Sequence, residues 1–268
     1  LEQKLYPQGV PALHEQINES KSISSNIYLS SAKGKKVNFI RVINCLYELG
    51  FFKDQGQNSI TKKEVFETFP VFSPDGNKLY FCAAKQMPIP EKYKEIRYSL
   101  CSIDFDKEKG TFGNRIDTLI DAEKMKKSIS FPRPSYDGKY IMFTLSDYGN
   151  FSIWHKEADL WLLNLQDGSL RTIHEVNSDN TESFHNWSSN SHWFVFSSRR
   201  EDGLYTRLYL ACINKEGKVS KPFLLPQKNP MNYYDKLLYS YNVPEFTNSP
   251  VKIEPRKLER EIVSNKRV

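Results

Sequence analysis

Histidine is the residue type in this sequence best suited to metal binding or proton transfer, and its spacing argues against a local site. The five histidines show neither the H-x-H nor the H-x-x-x-H pattern that directs two imidazoles to one metal ion. A metal site would have to assemble from distant parts of the chain, and we predict none. His185 lies beside Trp187 in an apolar segment, where we expect a structural histidine. The histidines are His14, His155, His174, His185 and His192.

Other catalytic motifs are missing from the sequence. The four cysteines form no C-x-x-C pair, and we interpret them as buried or incidental thiols. There is no G-x-S-x-G nucleophile elbow, no G-x-G-x-x-G after a predicted strand and no G-x-x-x-x-G-K-[ST] phosphate loop. We therefore predict a protein that is not an enzyme and has no cofactor. The cysteines are Cys45, Cys82, Cys101 and Cys212.

The charge is mildly basic and spread along the chain. The sequence has 38 Lys+Arg and 32 Asp+Glu, a formal net charge of +6 over 268 residues. Its short basic clusters, at 33–36, 124–127 and 252–260, are typical of solvated loops, and we predict no nucleic-acid partner. No stretch approaches ~18 uninterrupted apolar residues, so the sequence indicates no transmembrane helix.

Three related segments, at 69–81, 131–143 and 184–196, show that the chain contains a repeat. Their aligned serines, Ser73, Ser135 and Ser188, lie 62 and 53 residues apart, a long period typical of propellers and solenoids. The first two copies continue to Gly three residues after the serine, which suits a tight turn between two strands. The third copy lacks this glycine, and we expect Asn190 to tolerate the left-handed conformation there and the turn to be looser.

Each repeat continues with two further predicted strands. The third strands are predicted at 98–103, 159–165 and 207–213, and the fourth at about 111–119, 169–175 and 218–225. Four antiparallel strands in each repeat predict an all-β fold, a β-propeller of four-stranded blades. The blades are expected at about 66–120, 129–176 and 182–226.

The remaining segments predict an incomplete propeller. Residues 24–60 resemble the second half of a blade, 227–246 would be a closing segment, 1–23 an N-terminal arm and 247–268 a C-terminal tail. Three and a half repeats are too few for the usual propeller. The sequence thus indicates a fragment of a larger propeller, or a propeller whose missing strands come from 41–60 and 237–246.

The segment Phe72-Ser73-Pro74-Asp75-Gly76-Asn77-Lys78-Leu79-Tyr80-Phe81 resembles the signature of TolB-like propellers, the WD40-like Pro-Asp repeat family. The resemblance covers most of residues 24–225. Residues 221–227 and 241–246 are similar, more loosely, to uncharacterised envelope proteins of Bacteroidetes-type bacteria.

The resemblance implies an extracytoplasmic propeller, commonly six-bladed, that is periplasmic or part of an outer-membrane lipoprotein. It implies a docking platform for an envelope protein or a peptidoglycan-associated component. Because some TolB-like propellers are pectate-fragment lyases with metal-binding histidines near the axis, His155, His174 and His185 leave open a glycan-binding or lyase function with a saccharide ligand. Fold alone does not decide between these functions.

We place the predicted interaction surface on the loops between the second and third strands of each blade. These loops are long, at 85–97 and 147–158, and insertions in repeat proteins collect on the binding face. Aromatic residues and arginine often anchor protein interfaces, although the same aromatics could instead pack their own loops on the blades. The predicted binding residues are Tyr93, Arg97, Tyr148, Phe151, Trp154, His155, Arg199, Arg200 and Tyr205.

Overall fold

The computed structural model describes residues 28–30, 36–38, 65–234 and 240–247, together with the single residues 254, 256 and 260. The predicted N-terminal arm lies outside the described residues, as do Cys45, His14 and most of the predicted tail. In the described part, the chain forms three four-stranded sheets and one two-stranded sheet. Strands β1 (Tyr28–Ser30) and β2 (Lys36–Asn38) pair antiparallel.

Each four-stranded sheet is an antiparallel meander in which consecutive strands are neighbours. Blade 1 contains β3 (Val65–Phe72), β4 (Lys78–Lys85), β5 (Ser99–Asp106) and β6 (Thr111–Ile120). Blade 2 contains β7 (Ser128–Pro134), β8 (Tyr140–Ser146), β9 (Asp159–Asn164) and β10 (Leu170–Thr172). Blade 3 contains β11 (Glu182–Trp187), β12 (Trp193–Ser198), β13 (Arg207–Cys212) and β14 (Phe223–Leu224). The predicted all-β propeller of four-stranded antiparallel blades is confirmed.

Helices are short in the described residues. They are α1 (Ala122–Met125), α2 (Pro230–Tyr234) and the 3-10 helices Tyr93–Glu95 and Ser152–Trp154. No helix in this part of the chain has the length and apolar character needed to cross a membrane.

Apolar side chains of neighbouring blades pack against one another. Cys82 and Leu100 of blade 1 share a buried cluster with Phe143 of blade 2. Residues on both faces of β4 are buried, which explains its uninterrupted apolar sequence. A second cluster joins Leu162 of blade 2 to Phe196 of blade 3. Burial of this kind is the main favourable contribution to blade stacking.

The serine turns repeat the same hydrogen bonds in each blade. In blade 2, the Ser135 amide donates to the Tyr140 carbonyl at 2.8 Å, and the Ser135 hydroxyl accepts from the Tyr140 amide at 3.0 Å. The hydroxyl also donates to the Asp137 carboxylate at 2.7 Å. Gly138 has a φ of 70°, which explains why glycine suits this position.

The third turn corrects one prediction. Ser191, rather than Asn190, takes the left-handed conformation, with a φ of 58°. Asn190 replaces the aspartate, because its Oδ1 accepts from the Ser188 hydroxyl at 2.7 Å and from the His192 amide at 3.0 Å. The turn is therefore as tightly hydrogen-bonded as the others, and the Ser191 hydroxyl also accepts from the Asp137 amide of blade 2 at 2.9 Å.

The first strands of the blades share a bulge with an aromatic residue. Phe69, Phe131 and Phe184 have φ values of 52°, 52° and 50°, which are unusual for bulky residues. The register shifts at each of these positions. The Phe131 ring lies 4.1 Å from that of Phe69 and 4.7 Å from that of Phe184. These ring contacts link the first strands of the three blades.

The segment 240–242 is held against blade 3 by hydrogen bonds to its backbone groups. The Tyr241 amide donates to the Thr206 carbonyl at 3.1 Å, and the Ser197 hydroxyl donates to the Asn242 carbonyl at 2.5 Å. In α2, the Tyr234 hydroxyl donates to the Leu225 carbonyl at 2.6 Å. This end of the chain therefore covers part of blade 3.

The described cysteines are free. Cys82 and Cys101 are buried, and Cys212 is partly exposed. Burial raises the pKa of Cys101 to about 11, so that its thiol stays protonated at neutral pH.

Candidate interaction surface

The loops between the second and third strands of the blades carry all nine predicted binding residues. We call this the loop face. Hydrogen bonds between neighbouring blades hold its loops: the Gly149 amide donates to the Ile96 carbonyl at 2.8 Å, and the Thr181 hydroxyl donates to the His155 carbonyl at 2.7 Å. The Arg199 amide also donates to the Thr181 carbonyl at 3.1 Å. The three loops are thus fixed relative to one another.

One group of contacts joins blade 1 to blade 2. The Tyr93 and Tyr148 rings meet edge to face at 5.6 Å, and Tyr148 meets the His155 ring at 4.4 Å. Nδ1 of His155 lies 3.0 Å from Oε1 of Glu157. Desolvation raises the pKa of the Tyr148 hydroxyl, and the neighbouring Tyr93 adds to this effect. Tyr148 is therefore neutral at physiological pH.

A second group joins blade 2 to blade 3. The Phe151 and Trp154 rings are stacked at 6.4 Å, and the guanidinium carbon of Arg199 lies 4.5 Å from the Trp154 ring centroid. Trp154 is 53% exposed. Desolvation lowers the pKa of Arg199, and Asp202 opposes this shift. Trp154 and His155 are consecutive, so the two groups share the loop 147–158 of blade 2.

The structure brings six of the nine predicted residues into these two groups: Tyr93, Tyr148, Phe151, Trp154, His155 and Arg199. Arg97 contacts its own loop, where Nη1 donates to the Glu95 carbonyl at 3.4 Å. The Tyr205 amide donates to Asp202 Oδ1 at 2.8 Å, and no ring contact links Tyr205 to the six within the described residues.

Arg200 is partly buried, and its guanidinium points towards blade 3. Its Nη2 lies 3.1 Å from Oε1 of the buried Glu182 and donates to the Val176 carbonyl at 2.5 Å. Its guanidinium carbon lies 4.4 Å from the Tyr209 ring centroid. The pKa of Glu182 is raised because desolvation outweighs its hydrogen bonds from Ser178 and Ser198. These contacts lie within the protein, and a binding role for Arg200 stays a prediction.

Two residues that support the loop face were not predicted from the sequence. Thr181 connects the loops of blades 2 and 3, and Glu157 holds the His155 ring. The spacing of Glu157 two residues after His155 was the available signal, because a nearby carboxylate commonly orients an imidazole. Thr181 has no comparable signal, since its role depends on contacts between blades.

The described histidines lie in separate environments. His185 is buried and donates from Nε2 to the Met142 carbonyl at 2.9 Å, and desolvation lowers its pKa to about 3. His192 lies in the third serine turn with Nδ1 3.0 Å from the Ile213 carbonyl, and His174 is exposed after β10. Among the described residues, no group of three or more His, Cys, Asp or Glu side chains could hold a metal ion.

Comparison with known proteins gives matches to solved structures only. No protein-family model matches the chain. No curated protein matches it either. A putative TolB from Agrobacterium tumefaciens is 20% identical, with a TM-score of 0.40, and the alignment covers 61% of this chain and 50% of that protein.

Two further propellers align over similar fractions of the two chains. The β-propeller domain of the Trilobed protease from Pyrococcus furiosus is 16% identical (TM-score 0.36; 63% of this chain and 45% of that one). An oligogalacturonate lyase in complex with manganese is 13% identical (TM-score 0.45; 62% and 44%). The alignments thus span half or less of each of these chains. The likeness concerns the fold alone.

Proposed function

We propose that this chain is a non-catalytic, extracytoplasmic docking module that binds an envelope protein through its loop face. The observation that supports this proposal is that two groups of contacts on the loop face join neighbouring blades. One joins Tyr93 to Tyr148, and the other joins Trp154 to Arg199. Together the two groups involve three blades, and the second contains the half-exposed Trp154. Tryptophan, tyrosine and arginine are the side chains most enriched in the energetic centres of protein interfaces.

The loop face is also organised before any partner binds. Ring contacts restrict the side chains of Tyr148 and Trp154, and hydrogen bonds between blades restrict the loops that carry them. Association then costs less conformational entropy than it would on a flexible surface. This rigidity favours a binding role for the loops over a purely structural one.

Saccharide binding is the second candidate, and the exposure of Trp154 is the observation that favours it. The apolar face of a sugar ring stacks on an exposed indole, and Arg199 beside it would suit an acidic sugar. This candidate requires no metal ion. Saccharide binding needs a smaller contact area than protein docking, since one sugar ring would cover only Trp154 and Arg199.

The first test uses the full chain as bait in an envelope extract. We expect a protein to be captured by the parent and by Trp193→Ala, and to be lost with Trp154→Ala. Trp193 is the matched control because it is 40% exposed but lies at the serine-turn end of blade 3. Capture that survives Trp154→Ala, or no capture together with binding to a saccharide array, would contradict protein docking.

A further inference from the structure

Arg199 holds an unused set of hydrogen-bond donors on the loop face. Its guanidinium packs over the Trp154 ring, and no ion pair or hydrogen bond of this guanidinium exists among the described residues. Its Nε atom is buried and has no partner. A guanidinium that packs over a ring keeps its in-plane N–H groups available for an acceptor. A partly desolvated cation in this state is energetically costly until it meets an anion.

The carboxylates around Arg199 are already engaged elsewhere. Asp202 accepts from the Leu204 and Tyr205 amides at 2.8 Å each, and its other oxygen lies 3.4 Å from Nη2 of Arg207. Glu201 accepts from the Tyr209 hydroxyl. Asp202 acts on Arg199 only beyond ion-pair distance, and the charge of Arg199 is therefore left for an external group.

In the loops of blades 1 and 2 as well, the carboxylates named below have partners whereas an arginine lacks a carboxylate partner. Glu157 is held by His155 and by the Asp147 amide at 3.2 Å, and Glu95 lies 3.5 Å from Nζ of Lys92. Arg97 has one long hydrogen bond to a carbonyl and a buried Nε without a partner. These carboxylates have cationic or amide partners, whereas two arginines of the loop face have no carboxylate partner among the described residues.

We propose that the loop face binds an acidic peptide segment of its protein partner, with a carboxylate on Arg199 and an apolar side chain on Trp154. This inference rests on the proposed docking function and adds the chemistry of the partner. Charge-assisted bonds from a guanidinium to a carboxylate are frequently bidentate and strong. A peptide fits better than a single sugar because the loop of Trp154 also carries Tyr148, which contacts Tyr93 of blade 1, and these further aromatic residues can meet several side chains.

The test measures direct binding to the full chain by calorimetry. The probe is a short capped peptide in which a Glu-Asp pair lies between two phenylalanines, and its control has Gln-Asn in place of that pair. We expect the acidic peptide to bind at least about tenfold more tightly than the amide control. Its affinity should fall when the salt is raised to ~0.5 M, because screening weakens an exposed ion pair.

Variants then locate the binding. Arg199→Gln should weaken the acidic peptide about tenfold and bring it level with the amide control, whereas Arg199→Lys should retain part of the preference. Arg115→Gln is the matched control, since Arg115 is exposed on β6 and lies outside the three loops. Thermal unfolding of each variant verifies that it is folded, and the comparison of the two peptides on the parent chain does not depend on any variant.

Three results would overturn the acidic-peptide assignment. They are equal affinity for the two peptides, no binding at millimolar concentration, and tighter binding of an oligogalacturonate than of the acidic peptide. A captured protein that is lost with Trp154→Ala but unaffected by Arg199→Gln or by salt would leave docking standing and refute the charge assignment alone. Failure of the Trp154→Ala test would instead refute docking itself.

Discussion

At the scale of single residues, buried titratable groups make stability depend on pH. His185 is fully enclosed, and its neutral form donates one hydrogen bond to Met142 while Nδ1 has no partner. Its pKa is about 3 in the folded protein because burial penalises the charged imidazolium. The unfolded chain therefore binds this proton more readily than the folded protein does.

We predict that acid unfolding depends on His185. The free energy of unfolding is unaffected by His185 above pH ~6.5, the ordinary pKa of histidine. As the pH falls from there towards 3, protonation of His185 in the unfolded chain lowers the free energy of unfolding by up to ~1.4 kcal/mol per pH unit. His185→Gln retains a donor for Met142 and should flatten this dependence in thermal unfolding between pH 7 and pH 4. His192→Gln, in an exposed turn, should leave it unchanged. If the stability of His185→Gln fell as steeply as that of the parent between pH 7 and pH 4, this role would be refuted.

Glu67 on β3 should produce the opposite dependence. Burial raises the pKa of its carboxyl from 4.5 to about 8, so the folded protein holds this proton more tightly than the unfolded chain. The contribution of Glu67 to the free energy of unfolding is fully present below pH ~4.5. It is lost as the pH rises through 8, because the unfolded chain releases this proton first. Glu67→Gln should be more stable than the parent at pH 8 and nearly equal to it at pH 4.5, as measured by urea unfolding. A variant that is less stable at both pH values would contradict the prediction.

At the scale of elements, Glu182 and Arg200 connect two strands of blade 3 to the loop that follows blade 2. Glu182 begins β11, Ser198 ends β12, and the Val176 carbonyl belongs to the loop after β10. A buried carboxylate of this kind is tolerated only while its partners remain.

We predict that Arg200→Met destabilises the protein by ~3–5 kcal/mol, because it leaves Glu182 buried without its cation. The double variant Glu182→Gln with Arg200→Met should recover part of this loss. Arg115→Met, at an exposed position, should change the free energy of unfolding by no more than ~0.5 kcal/mol. Urea unfolding measures all three, and a neutral Arg200→Met would show that Arg200 does not support the blade.

The third serine turn offers a matched pair of substitutions. Ser191→Ala loses the hydrogen bond from the Asp137 amide and keeps the left-handed conformation, whereas Ser191→Gly loses the same bond but relieves the conformation. We expect Ser191→Ala to cost ~1–3 kcal/mol and Ser191→Gly distinctly less. Denaturant midpoints measure the order, and Ser191→Ala being the more stable of the two would contradict this account.

The elements were largely predictable from the sequence because local chemistry determines them. The serine turns and the apolar strands after them identify the blades, and the strands of blade 1 match the prediction within a few residues. The fourth strands of blades 2 and 3 are shorter than predicted, with β14 limited to Phe223–Leu224. The sequence did not show that Ser191 replaces glycine or that Arg200 turns inward, because both depend on neighbouring strands and blades.

At the scale of the whole molecule, the two ends of each blade differ in chemistry. The serine-turn end repeats one small hydrogen-bonded motif, whereas the loop face carries different aromatic and arginine side chains in each blade. Loop length indicated which end should bind, and that assignment stays a prediction. The contacts of Tyr93 with Tyr148 and of Trp154 with Arg199 depend on blade stacking and could not be inferred from spacing.

Hydrogen exchange of the full chain, with and without the captured partner, tests the docking account most directly. The account predicts that the partner slows amide exchange in the loops 86–98, 147–158 and 199–206, and leaves the serine turns at 73–78, 135–140 and 188–193 unchanged. The turns are internal controls because they belong to the same blades. Protection confined to the serine turns, or spread equally over both ends, would contradict docking through the loop face.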